Sequence, residues 1–94
     1  MKKKPTLSKN VNRDVVLCET TYKAVSNRTS NLLLEQSVPF SKSWHRIPFF
    51  KRHNYNGASS VCVISINRTQ YCHARRVLSL LERRDYDRLQ LNII

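Results

Sequence analysis

The chain has 94 residues, with 17 lysines and arginines against six acids, for a formal net charge of +11. That length allows one domain with a modest core and no second unit. Apolar residues make up 40% of the chain and glycine occurs once, which excludes a low-complexity polymer, and the odd count of three cysteines argues against a closed disulfide framework.

Residues 1–12 read as a flexible basic tail, in which Lys2, Lys3 and Lys4 supply charge but little that can be buried. The polar stretch after them lacks the apolar run of a signal peptide. Residues 13–94 then read as a single small α+β domain. Residues 14–25 are rich in β-branched and aromatic side chains and predict a strand, and 26–31 are a turn or loop by composition. Residues 32–35 are apolar but too short for periodicity to separate a strand from one helical turn. Pro39 and Pro48 bracket an irregular stretch, since each bars its predecessor from helix.

Asn56-Gly57 can take the positive φ that a hairpin turn needs, and residues 60–66 beyond it form the clearest strand pattern in the chain. The turn implies an antiparallel partner around residues 46–51, confined by Pro48 to a sheet edge or interrupted by it. A helix should follow, with Asn67 as N-cap, Gln70 closing a capping box, and Ile66 stapled to Tyr71. Tyr71, Ala74, Val77, Leu78 and Leu81 share one face at helical spacing, and Arg83 and Arg84 suit its negative end. Residues 89–93 alternate apolar and polar, as a closing strand or a docking tail would. The expected fold is therefore α+β, a small antiparallel sheet of three to four strands packed on one C-terminal helix.

Two groups of residues are candidates for a binding role. On the outer face of the expected helix, Arg68, Arg75, Arg76 and Arg83 fall on one side, and guanidiniums present planar forks of donors suited to phosphate. In residues 42–55, Lys42, Arg46, Lys51 and Arg52 are interleaved with Trp44, Phe49, Phe50 and Tyr55, the mixture that single-stranded nucleic acid uses for backbone tracking and base stacking. Trp44 and one of the phenylalanines are expected to serve the core instead. No metal site is expected: Cys18, Cys62, Cys72, His45, His53 and His73 show no paired ligand spacing. No cofactor is implied, and no catalytic constellation is evident. Asp85 and Asp87 are expected to pair with Arg84 and Arg88.

These features lead to an expectation of a small, basic, non-enzymatic protein in the cytoplasm, without a membrane span, that binds DNA or RNA. A second expectation, from size and character, is an accessory protein of the kind found in phages, docking on an acidic host protein or nucleoprotein. A third is a small ribonuclease using His45 or His53 as general base.

Overall fold

A computed structural model describes residues 14–92. The basic tail, with Lys2, Lys3 and Lys4, lies outside the described residues. Four strands form one antiparallel sheet: β1 (Asp14–Thr20), β2 (Ser41–Arg46), β3 (Ser60–Asn67) and β4 (Gln90–Leu91), in the spatial order β2-β3-β1-β4. Helix α1 (Lys23–Glu35) joins β1 to β2. A 3₁₀ turn (Arg68–Gln70) leads from β3 into α2 (Tyr71–Leu78), and the one-turn helix α3 (Arg83–Tyr86) precedes β4. The α+β class and the antiparallel sheet are as expected. By strand order this is the split β-α-β plan of ferredoxin-like folds, which hosts many unrelated functions and so assigns none.

β3 is an interior strand, paired with β2 on one side and β1 on the other. Cys62, Ile64 and Ile66 point to the helices and are fully buried. They meet Leu17, Cys18, Leu33, Val38, Ala74, Val77 and Leu78 in a single apolar cluster. The stripe read on α2 is therefore the core face, with Tyr71 and Leu81 packed at its margin. Burial of each large aliphatic side chain here is worth about 1.5–3 kcal/mol. A bulge between Val16 and Cys18 on β1 turns Leu17 into the core. Asn92 closes this site, its backbone N–H donating to the Leu17 carbonyl (3.1 Å) and its side-chain amide to the Val16 carbonyl (2.8 Å).

Several local expectations are corrected. The strand expected through residue 25 ends at Thr20, and the loop expected at 26–31 lies inside α1. The inward face of α1 is Val25, Ser26, Thr29, Ser30 and Leu33, so small hydroxyl residues stand where an apolar stripe is usual. Ser26 Oγ donates to the Lys23 carbonyl (2.8 Å) and Ser30 Oγ to the Ser26 carbonyl (2.5 Å), which lets them be buried without stranded donors. α1 ends in a Schellman motif: Ser37 takes φ of 60°, its N–H donates to the Leu34 carbonyl, and that of Val38 donates to the Leu33 carbonyl. The sheet thus packs on two helices, not on the C-terminal one alone.

The partner of β3 is β2, shifted toward the N-terminus of the 46–51 segment expected, and it is an edge strand as Pro48 implied. After Pro48 the chain winds into a 3₁₀ segment, Phe49–Tyr55, ended by Asn56 (φ 57°) and Gly57 (φ 84°). Asn67 Oδ1 accepts from the Thr69 N–H (2.9 Å), so Asn67 caps the 3₁₀ turn and α2 follows from it. α2 stops at Leu78 instead of continuing to Arg83 and Arg84, which belong to α3.

Candidate functional site

β2 lies at the sheet edge with every residue exposed. Its alternation sets Lys42, Trp44 and Arg46 on the helix side, opposite Ile64, Cys62 and Ser60, while Ser41, Ser43 and His45 face the uncovered side. Lys42 Nζ donates to Asn27 Oδ1 (3.2 Å) and Ser30 Oγ (3.0 Å), which ties this edge to α1. Farther along, Trp44 is 41% exposed and Arg46 is exposed.

The connection from β2 to β3 is ordered. Its base is closed by the Ile47 N–H donating to the Ser59 carbonyl (2.8 Å), and Ile47 itself is buried. Arg52 Nε donates back to the Ile47 carbonyl (3.1 Å), so Arg52 braces the loop. This frame holds Phe49 and Phe50 outward, 84% and 65% exposed, with Lys51 exposed beside them. The expectation that Trp44 and one phenylalanine would be core residues is overturned, because Trp44 sits on the edge strand and the braced 3₁₀ segment carries both phenylalanines outward. Tyr55 is half-buried and lines a cleft of ≈ 380 Å³ with Glu19, Val61, Arg88 and Gln90. Glu19 and Asp87 offset Arg88 there, and Arg88 stacks over Tyr22 at 4.8 Å, so the cleft is no anion pocket.

The four-arginine face does not survive as one stripe. Arg75 Nη1 donates to the Tyr71 hydroxyl (2.7 Å) with its guanidinium over the Tyr71 ring, and the Tyr71 hydroxyl donates to the Asn92 carbonyl. That hydrogen bond holds the Arg75 pKa above its ordinary value. Arg83 stands on α3 and meets Asp87 at 3.3 Å. Arg68 and Arg76 remain exposed, with no ion pair among the described residues.

The acids lie elsewhere. Asp85 is buried and bound by Arg28, Asp87 meets Arg83, and Glu82 meets Arg84 at 3.5 Å. Asp85 and Asp87 thus choose Arg28 and Arg83, not the Arg84 and Arg88 expected, because the folding of α3 against α1 brings Arg28 to Asp85. Between Glu35 and Glu82 the chain has no acid at all, yet Lys42, Arg46, Lys51, Arg52, Arg68, Arg75 and Arg76 fall there. This acid-free run was visible in the sequence as a spacing signal. The structure converts it into polarity: acids gather toward β1, β4 and α3, and the β2 edge carries cations and rings.

The face of the sheet away from the helices presents Ser41, Ser43 and His45 with Val61, Val63, Ser65, Val16 and Glu19, and Tyr55 of the 3₁₀ segment lies beside Val16 and Glu19. The strands themselves contribute no Phe, Tyr or Trp to it, unlike RNA-binding sheets that stack bases on strand aromatics. His45 Nε2 lies 3.0 Å from Ser43 Oγ, and His53 stands exposed on the 3₁₀ segment. Among the described residues no group of three or more His, Cys, Asp or Glu could hold a metal ion, and no helix is long and apolar enough to cross a membrane. No family model, curated protein or solved structure matches the chain.

Proposed function

We propose that this chain is a non-enzymatic nucleic-acid-binding protein that meets its ligand along the β2 edge and the adjoining 3₁₀ segment. The observation that carries the proposal is the display of Trp44, Phe49 and Phe50 in solvent among Arg46 and Lys51, cations that meet no acid among the described residues. Leaving two phenylalanines exposed forgoes roughly 1.5–3 kcal/mol apiece that burial could contribute, and apolar groups grouped at a surface mark contact sites. Uncompensated cations beside them favour a polyanion, since counterion release drives the association. Arg68 and Arg76 add positive potential that steers the ligand from a distance. A cytoplasmic location accords with the free thiols of Cys18, Cys62 and Cys72.

The test is equilibrium binding of mixed-sequence RNA and DNA oligomers at low and high salt. Binding that is tight at low salt and falls steeply as salt rises supports the reading. No detectable binding at low salt overturns it.

A second reading rests on the outer backbone edge of β2, unpaired among the described residues, as a docking site for an acidic partner protein, the role of a phage-type accessory factor on a host surface. Recovery of one protein partner that persists after nuclease treatment would favour it.

A further inference from the structure

Resting on the nucleic-acid reading, we infer that the ligand is single-stranded, with unpaired bases stacking on Phe49 and Phe50 while Arg46 and Lys51 follow the phosphates. In a duplex the base faces are already stacked on one another, so a ring reaches one only by prising a step apart. An unpaired base offers a free π-face, and aromatic side chains take it whatever the base. Duplex grooves are read instead by a helix or ribbon that inserts among base edges. The exposed rings here sit on a short 3₁₀ segment, and α2 carries none beyond Tyr71, which is engaged by Arg75 and Asn92.

The 3₁₀ geometry adds a constraint. At three residues per turn, neighbouring side chains diverge by about 120°, so Phe49 and Phe50 cannot share one base. Each ring takes its own base, and the strand bends around the tip of the loop between them. Trp44 lies on the preceding strand, partly exposed.

The other occupant with the same charge is an anionic lipid surface, into which Phe49 and Phe50 could dip. Depth is limited by β2, whose unpaired backbone donors and acceptors would enter the apolar layer beside the rings unsatisfied. The observations favour the nucleic acid.

The chain holds a single tryptophan, so Trp44 fluorescence reports directly on this corner. The experiment titrates the full chain with a single-stranded oligomer, its duplex of equal length, and vesicles containing phosphatidylglycerol. Phe49→Ala and Phe50→Ala are compared with the native chain; both positions are exposed, so the fold is not at stake. The inference expects single strands to quench Trp44, to bind at least about tenfold more tightly than duplex, and to lose roughly 5- to 100-fold with each substitution. Equal binding of duplex, with neither substitution altering affinity, overturns the stacking inference and leaves charge-driven binding in place. Phenylalanine-dependent binding to vesicles without binding to oligomers overturns both.

Discussion

Arg28 grips Asp85 through two hydrogen bonds, Nε to Oδ2 at 2.6 Å and Nη2 to Oδ1 at 2.8 Å, and so locks α3 against α1 across 57 residues of sequence. The pair is asymmetric: the Asp85 side chain is 3% exposed, while that of Arg28 is 49% exposed. Removing Arg28 strands a buried carboxylate, whereas removing Asp85 leaves a guanidinium that can turn to water. Arg28→Ala should therefore lower the melting temperature more than Asp85→Asn, as differential scanning calorimetry would show; the reverse order would contradict this account of the pair. The Arg28 guanidinium, opposed by burial, holds the Asp85 carboxyl below its ordinary value. A depressed carboxylate pKa stabilises the fold fully above the unfolded value of about 3.9, and the contribution fades as pH falls below that toward the folded value. The stability gap between native chain and Asp85→Asn should accordingly narrow in acid and stay constant from pH 6 to 8.

Ser37 occupies the left-handed position that ends α1, where a side chain is strained and glycine is not. Ser37→Gly should stabilise the protein by up to about 1 kcal/mol, after the greater freedom of glycine in the unfolded chain is deducted. Denaturant unfolding measures it as a higher midpoint at unchanged slope.

The thiols should separate sharply. Cys18 is fully buried and its pKa is pushed up to about 12, chiefly by desolvation and then by nearby Cys62 and Glu19; Cys62 is raised by burial as well. Cys72 faces solvent from α2. Because the thiolate is the reactive form, a disulfide reagent at pH 8 should titrate one thiol rapidly and the other two only on unfolding. Three equally fast thiols would show that the core is not packed as described.

The packing of α2 and the strand β3 were legible because their apolar residues keep period and the turn at Asn56-Gly57 announces itself. α1 was illegible for a definite reason. Its buried face is built from Ser26, Thr29 and Ser30, which read as loop composition, and its C-terminal cap is a serine where glycine is the usual signal. The Ser26 and Ser30 hydroxyls bond to the backbone one turn back, which a helix tolerates, yet such residues look like breakers in a sequence. The candidate site was half visible. Composition marked residues 42–55, but only the tertiary arrangement separates Arg52, braced on the Ile47 carbonyl, from Arg46 and Lys51, which are free of ion pairs among the described residues. The helix wheel failed on the arginines because α2 stops at Leu78, a boundary set by the Ser79 and Leu80 N–H groups closing a tightened last turn onto Arg76 and Val77.

On the proposed reading the β2 edge and its loop, more than α2 and the turn before it, make the phosphate contacts. The most direct test of this compares Arg46→Gln/Lys51→Gln with Arg68→Gln/Arg76→Gln in single-strand binding across a salt series. The first pair should weaken binding at every sequence and flatten the plot of log affinity against log salt by about 1.4, near 0.7 for each lost phosphate contact. The second should leave that slope nearly unchanged. The opposite pattern, with the slope collapsing only when the arginines at 68 and 76 are lost, would contradict the account.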